Sequence, residues 1–423
     1  MFNPSSRPPS SFMPPETPSS QPLPRVLRIL GIIVAVIVLV FLVWSLVITK
    51  EKRAVTRITV QAQTLLDEGK FAEAQTVLQE QIVNYPDALP LYLSLANAYL
   101  AEGFLVKTKD RSEASKKARE TLLIARDKGG RNDARYHDLF ALSHSIVGNY
   151  EEALKQYQKS LAIDPNNPYA LLGAGNTLEM TGELSYAYKF YQKAEEVLQS
   201  SPKPNDLLAG TYVNLGKMAM IMDNDAAKAM ERFNAALGAS KNKTLRAEIH
   251  YAMSTLEYQK GVENVESSRT HAEAAIAEAP ESDWGYLGVL RAMILSPKEG
   301  DEKKAGEYIW KALQLNPSRA LTRMLQGQIA HRAGNTAQAI ASYKAALRII
   351  YTPHTDPTLS RGASWALASD THAYLALAYH AEGKKAEAME AITLALKTNP
   401  LKIAYLIENS KPFAPFKSAS KLK

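Results

Sequence analysis

The feature that most constrains this chain is an internal repeat. Five segments end alike, with small and apolar residues leading to a closing proline, and the closing prolines are 79, 115, 37 and 83 residues apart. Each separation is one to three multiples of about 34 residues plus a remainder, and a fixed period of this size is typical of stacked helical repeats. The segments are EQIVNYP (80–86), KSLAIDP (159–165), AAIAEAP (274–280), KALQLNP (311–317) and LALKTNP (394–400).

A second pattern precedes these endings and marks the turn between two helices. Glycine is followed at fixed spacing by an aromatic residue and an alanine. Small residues allow two helices to approach closely, and the closing proline cannot continue the second helix, so it sets the turn into the next unit. The pattern occurs as Gly69/Phe71/Ala74 and Gly148/Tyr150/Ala153, with variants at Gly182/Ala187, Gly334/Ala339 and Gly383/Ala388.

Two further motifs, Trp284-x-x-Leu287-Gly288 and Tyr212-x-x-Leu215-Gly216, have the form expected in the first helix of a unit. Together these patterns closely resemble the tetratricopeptide repeat (TPR), a helix–turn–helix of 34 residues. The resemblance covers roughly 350 of the 423 residues. It implies an all-α fold, a TPR superhelical solenoid of about nine units, which we expect to follow an N-terminal transmembrane helix indicated by a separate apolar run. The expected units start near residues 55, 89, 134, 168, 209, 245, 281, 320 and 369.

The anchors divide the chain into a repeat array over residues 54–402 and a capping helix with a tail over 403–423. Inside the array, residues 104–111 and 351–368 do not fit the repeat and are predicted to be loop insertions. The Pro/Ser-rich residues 1–24 cannot bury apolar surface and are expected to be disordered.

Residues 25–49 are predicted to form a transmembrane helix. Leu30–Ile48 is a run of nineteen residues without a charge, and as a helix it would extend roughly 28 Å, close to the hydrocarbon thickness of a bilayer. Two alternatives are a buried core helix and a cleaved signal peptide, whose apolar core is usually shorter. We expect an uncleaved anchor, and hence a single-pass membrane protein. Basic residues flank both ends and do not fix the orientation; an extracytoplasmic repeat domain is preferred to a cytosolic one.

No pattern in the sequence indicates catalysis or a cofactor. The chain has no cysteine, which excludes disulfides and thiolate chemistry. His137 and His144 lie seven positions apart at sites where aromatic side chains normally pack. No phosphate-binding loop or nucleophile elbow is present. The net charge of +7 is spread along the chain, whereas nucleic-acid binding requires clustered basic residues. We therefore expect neither an enzyme, nor a cofactor or metal site, nor a nucleic-acid partner.

The TPR resemblance implies a concave groove lined by the first helix of each unit, where family members bind peptides or partner helices. Amide side chains in such a groove can pair with the backbone of a ligand. The alternative interpretation is that these residues are only the solvated polar face of each helix. The carboxylate clamp of chaperone-binding members is not expected, because its first lysine has no counterpart. The candidate peptide-binding residues are Asn97, Asn176, Asn214, Lys217, Arg291, Arg323 and Gln328.

Two functional hypotheses follow. In the first, the chain is a membrane-anchored TPR scaffold that binds protein or peptide partners in its groove and recruits or assembles them at the membrane. In the second, it is a non-catalytic accessory or regulatory subunit of a membrane-associated enzyme complex. The sequence does not specify the partner or the oligomeric state.

Overall fold

The computed structural model describes residues 25–105, 111–200, 205–352, 355–356 and 359–419. In these ranges all regular secondary structure is helical, and successive helices pair across short turns to form nine units. The predicted tail over residues 1–24 lies outside the described residues. The pairs are α1 (Arg25–Asp67) with α2 (Phe71–Asn84), α3 (Leu89–Leu105) with α4 (Arg111–Asp127), α5 (Ala134–Ser145) with α6 (Tyr150–Ile163), α7 (Pro168–Thr181) with α8 (Leu184–Gln199), α9 (Asp206–Met218) with α10 (Ala226–Ala239), α11 (Lys243–Gln259) with α12 (Val265–Glu278), α13 (Trp284–Leu295) with α14 (Asp301–Leu315), α15 (Ala320–Arg332) with α16 (Thr336–Tyr351), and α17 (Arg361–Ala381) with α18 (Lys385–Thr398).

This arrangement confirms the predicted all-α TPR solenoid. Each helix packs on the next one along the chain, and the odd-numbered helices also contact the odd-numbered helix of the neighbouring unit. The first helices of the units therefore stack side by side as an inner layer, and the second helices form the outer layer. Such an arrangement places the polar face of each odd-numbered helix along the concave side.

A glycine in the inner helix faces an aromatic ring of the outer helix in several units. A Cβ atom added at Gly175 would lie 2.5 Å from Cε1 of Tyr191, and one at Gly216 would lie 2.6 Å from Cε1 of Phe233. Both rings are fully buried. The same contact joins Gly327 to Tyr343. The repeated glycine is therefore required because the aromatic ring occupies the space where its side chain would stand.

The glycine that precedes each outer helix has a different role. It lies in the turn, and its φ is positive, between 74° and 89° at the five positions that carry the pattern. Only glycine adopts this left-handed conformation without a steric cost, so the residue ends the inner helix and redirects the chain. The five positions are Gly69, Gly148, Gly182, Gly334 and Gly383.

The insertion between the last two units differs from the prediction of a loop over 351–368. Of its described residues, only 352, 355–356 and 359–360 lie outside helices, because α16 ends at Tyr351 and α17 begins at Arg361, two turns before the predicted start of its unit. The reason is a helix cap: the Oγ atom of Ser360 accepts a hydrogen bond from the backbone N–H of Ala363 at 3.2 Å. The predicted loop at 104–111 is bounded by α3 and α4, and its residues 106–110 lie outside the described residues.

A final helix, α19 (Pro400–Asn409), follows the ninth unit. It starts slightly before the expected boundary of the capping segment at residue 403. The side chains of Ile403 and Ile407 are fully buried against the last unit, whereas Leu401 on the same helix is 83% exposed. A helix with one buried and one exposed face is the form required to close the end of a solenoid.

The predicted membrane pass requires a correction. In the part of the chain that the structure describes, no helix has the length and the apolar character needed to cross a bilayer. The run Leu30–Ile48 forms the first part of the 43-residue helix α1, whose later turns place Val55, Ala62 and Leu66 in the core of the first unit. The prediction of a single-pass membrane protein with extracytoplasmic repeats is therefore wrong for the described part of the chain.

Candidate functional site

The inner helices of the first five units surround a cavity of about 1680 Å³ on the concave side of the solenoid. Amide side chains from α1, α3, α7 and α9 and from the N-cap of α7 line it, and α5 contributes the carboxylate of Asp138 instead of an amide. Apolar side chains, among them Leu139 and Leu172, lie between these amides. The amides are Gln63, Asn97, Asn167, Asn176 and Asn214.

The opposite wall of the cavity comes from a distant part of the sequence. Residues at the end of α16, in the insertion and at the start of α17 line the same cavity, and α17 contacts α7 directly. The described residues of the insertion therefore form part of the groove wall that faces the inner helices of the first units. These residues are Ile349, Ile350, Thr352, Asp356, Leu359, Arg361 and Ser364.

Two of the predicted residues form a pair in the cavity wall. The Oδ1 atom of Asn176 accepts a hydrogen bond from Nδ2 of Asn214 at 2.9 Å, and the hydroxyl of Tyr191 lies 2.9 Å from the same oxygen. Because Oδ1 is engaged twice, the orientation of the amide is fixed. Nδ2 of Asn176 has no hydrogen-bond partner among the described residues, so it remains a donor for a ligand.

The cavity also holds a carboxylate that our sequence interpretation missed. Oδ2 of Asp138 accepts a hydrogen bond from Nδ2 of Asn167 at 2.7 Å, and Oδ1 of Asp138 is buried with no partner in the described part of the chain. Burial raises the pKa of Asp138, while hydrogen bonds from Ser160 and Asn167 act in the opposite direction. Asp138 stands on the polar face of α5, and a search of that face for acidic as well as amide and basic residues would have found it.

The seven predicted residues do not form one site. Asn97, Asn176 and Asn214 line the cavity, and the other four do not. Lys217 pairs with Glu248, with Nζ 3.2 Å from Oε1. Burial lowers the pKa of Lys217, but the carboxylates of Glu248 and Glu179 more than offset this, so the pKa is raised.

The remaining three predicted residues are also held locally. The guanidinium carbon of Arg291 lies 4.2 Å from the ring centre of Tyr258. Arg323 donates to Oε1 of Gln326 at 3.2 Å. Gln328 lies beside Tyr374, where it partly offsets the rise that burial causes in the pKa of Tyr374. These side chains support the packing of later units and lie outside the cavity.

The two histidines singled out in the sequence do not belong to a group of metal-binding side chains among the described residues. His137 is buried, with its ring nitrogens 3.0 Å from Oε1 of Gln156 and 3.1 Å from the carbonyl oxygen of Arg131. His144 packs edge-on against Phe140. Over the described ranges, no group of three or more His, Cys, Asp and Glu side chains is arranged to hold a metal ion.

Comparison with known families identifies the repeat at three places. A model described as TPR repeat matches residues 147–182, and two described as tetratricopeptide repeat match residues 305–350 and 371–400. The matched stretches contain α6 with α7, α15 with most of α14 and α16, and the second half of α17 with α18.

Relatives and solved structures agree with this result. The TPR repeat-containing protein MJ1428 of Methanocaldococcus jannaschii is 24% identical over 318 residues, which are 64% of this chain and 51% of that protein. The TPR repeat-containing protein YvcD of Bacillus subtilis is 27% identical over 135 residues, 31% of this chain and 25% of that protein. The chain thus spans about half or less of these relatives.

Among solved structures, a Rap protein complexed with Competence and Sporulation Factor superimposes with a TM-score of 0.57 over 83% of this chain and 99% of that one, at 12% identity. A similarity at this identity concerns the fold only. Nine stacked helical pairs, their glycine–aromatic contacts, the three repeat matches and relatives made of the same repeat agree: this chain contains tetratricopeptide repeats and resembles tetratricopeptide-repeat proteins.

Proposed function

We propose that this protein is a non-catalytic scaffold that binds an extended segment of a protein partner in the groove of its first five units. TPR units generally bind protein partners, and stacked repeats present extended concave surfaces for this purpose. The observation that carries the proposal is the set of amides on four of the five inner helices that line the cavity, among them Asn176 with its free Nδ2 donor. Amides can pair with the backbone of an extended peptide whatever its sequence.

The charges around the cavity favour a protein partner over a nucleic acid. Arg111, Arg135 and Arg361 are balanced by acidic residues in the same lining. Carboxylates in a groove repel phosphates, whereas nucleic-acid sites concentrate basic side chains on one face. The acidic residues are Asp138, Asp164, Asp206 and Asp356.

Substitution of the amides tests the proposal. The variant Asn97→Ala/Asn176→Ala/Asn214→Ala removes three groove amides, each contributing on the order of 1 kcal/mol. We expect partner affinity to fall about a hundredfold in total. The control Arg323→Ala/Gln328→Ala changes predicted residues that lie outside the cavity and should leave binding unchanged.

Partners would be captured from cell extract with each variant and identified by mass spectrometry, after thermal melts show that the variants are folded. An unchanged set of partners from a folded groove variant, or an equal loss in the control variant, would refute the groove as the binding site.

A further inference from the structure

The charged side chains that line the groove are unequally engaged with the rest of the protein. Each of the acidic ones accepts a hydrogen bond from a donor within the chain, so part of its charge is already stabilised. The pairs of acceptor and donor are Asp138 with the side chain of Asn167, Asp206 with the hydroxyl of Ser240, Asp164 with the backbone N–H of Asn166, and Asp356 with the backbone N–H of Ala320, at 2.7, 2.6, 3.1 and 2.9 Å in turn.

Two of the three arginines in the same lining have no acidic partner. Arg135, near the start of α5, and Arg361, the first residue of α17, are both exposed and form no ion pair among the described residues. The third, Arg111, already has an acidic neighbour: burial lowers its pKa, and the carboxylate of Asp356 opposes this shift. The groove therefore offers a ligand two guanidinium groups.

The two unpaired arginines lie on opposite walls of the groove. Arg135 belongs to the wall formed by the first five units, and Arg361 belongs to the opposite wall, where α17 contacts α7. Both lie in the first turn of their helix. A cation there is electrostatically unfavourable, because the helix dipole is positive at that end. Neither arginine is therefore placed to stabilise its own helix.

Exposed aromatic rings accompany these charges. The indole of Trp365 is 58% exposed, and the guanidinium carbon of Arg361 lies 5.5 Å from its ring centre. Such a cation–π contact holds the guanidinium and leaves its N–H groups free to donate to a carboxylate. The ring of Tyr169, which lines the cavity, is 62% exposed. Aromatic rings are enriched where proteins bind other proteins, so both rings offer apolar surface for a bound segment to cover.

We propose that the partner segment bound in this groove is acidic and carries two carboxylates, one bound by Arg135 and the other by Arg361. A guanidinium binds a carboxylate through two parallel hydrogen bonds, so each arginine fixes one acidic side chain of the segment. This inference rests on the proposed function, in which the groove amides hold the backbone of the same segment, and it adds the chemistry of the side chains. The carboxylates of the lining repel the continuous row of phosphates in a nucleic acid.

A phage-displayed library of short random peptides is the probe. Peptides would be selected on the full natural chain, on Arg135→Glu/Arg361→Glu and on the control Lys303→Glu/Lys304→Glu. The two control lysines are exposed on the outer helix α14 and do not line the cavity, and their reversal changes the net charge by the same amount. Thermal melts would first show that all three proteins are folded.

We expect the natural chain and the control to enrich Asp and Glu in the selected peptides at least threefold over the unselected library. The arginine variant should lose this enrichment and select Lys and Arg instead, because the reversal puts negative charges at both positions. The inference is overturned if the natural chain enriches no acidic residues, if the folded arginine variant selects the same peptides, or if no peptide is selected at all.

Fluorescence anisotropy would then measure the affinity of the most enriched peptide, labelled with fluorescein. Arg135→Gln/Arg361→Gln should weaken its binding about tenfold or more, and so should replacement of its Asp and Glu residues by Asn and Gln. Equal affinities for the natural chain and the glutamine variant would contradict the proposal. A labelled single-stranded RNA is the second probe, and RNA that binds more tightly than the peptide through the same two arginines would also overturn it.

The two proposals can fail separately. If the selected peptides show no preference for acidic residues but the groove amides still determine which partners are captured, the acidic ligand is refuted and the proposed function stands. If acidic peptides bind as expected but the groove amide variant captures the same partners as the natural chain, the proposed function is refuted and the role of the two arginines stands.

Discussion

Arg319 donates hydrogen bonds from Nε and Nη2 to the two carboxylate oxygens of Asp283, at 2.7 and 2.9 Å, although the two side chains are only 3% and 0% exposed. The guanidinium also lies 4.0 Å from the ring centre of Trp284. This pair joins the seventh unit to the eighth through side chains that water does not reach. Burial lowers the pKa of Arg319, but the hydrogen bonds and charge of Asp283 more than offset this, so the pKa is raised.

Removal of one member of this pair should be costly. Asp283→Ala leaves a buried guanidinium without its partner, and we expect the free energy of unfolding to fall by about 3–5 kcal/mol. The control Glu266→Ala breaks the exposed ion pair with Lys298 and should cost no more than about 1 kcal/mol. Urea denaturation followed by circular dichroism would measure both, and equal effects would contradict the prediction.

The glycine contact in the fourth unit gives a second prediction. In Gly175→Ala the new methyl group would overlap the buried ring of Tyr191, whose hydroxyl is hydrogen-bonded to Glu179. We therefore expect the free energy of unfolding to fall by about 1–3 kcal/mol. Gly210 lies in the next inner helix with no heavy atom within 4 Å of an added Cβ. Gly210→Ala should therefore stabilise the protein by about 0.5–1 kcal/mol. Thermal melts that gave both variants the same sign would refute the steric explanation.

The stability of the protein should fall as the solution becomes acidic. His250 and His271 stack with ring centres 6.0 Å apart. Burial lowers the pKa of both, and for His250 the charge on His271 adds to the effect. Because the folded-state pKa values are below the unfolded value of about 6.5, the unfolded state takes up protons first. The stabilisation is fully present above that pH and is lost as the pH falls through the folded-state values.

Thermal denaturation at pH 7.5 and pH 5 would measure this dependence in the natural chain and in His250→Asn/His271→Asn. Acidification should lower the melting temperature of the double variant less than that of the natural chain, since the variant lacks two of the groups that take up protons on unfolding. An identical loss in both proteins would show that the two histidines do not contribute.

The cap of the array can be tested at α19. Ile403→Ala and Ile407→Ala each remove a fully buried side chain. We expect each substitution to lower the free energy of unfolding by about 2–5 kcal/mol. Leu401→Ala, on the exposed face of the same helix, should change the stability by less than about 0.5 kcal/mol. If hydrogen exchange in α17 and α18 were unaffected by the isoleucine variants, α19 would not act as a cap.

The sequence predicted the repeat because the residues that determine the geometry of each unit lie close together along the chain. The pairing of Gly175 with Tyr191 depends on residues sixteen positions apart, and it recurs from unit to unit. The sequence predicted less well which side chains line the groove. Asn214 and Lys217 both lie on α9, but only Asn214 reaches the cavity. The difference depends on how far the solenoid curves and on where the insertion lies, and neither is encoded within one unit.

The helical second half of the insertion illustrates the same limit at short range. Ser360 caps α17, but the missing repeat pattern over residues 351–368 predicted a loop. The contact of the insertion with the inner helices depends on Asp356 and on residues from much earlier in the chain. No periodicity could have indicated that contact.

The closeness of Arg111 and Asp356 has a consequence for the order in which the protein is made. Ribosomes add about 5–20 residues per second, so the helices around Arg111 emerge on the order of ten seconds or more before the aspartate that lies beside them. During this interval the nascent chain carries the inner helices of the first five units without the residues of the insertion that line the same cavity. Protease cleavage of ribosome-bound chains stalled before and after position 356 would reveal the change. Translation itself thus completes one wall of the groove before it supplies the opposite wall.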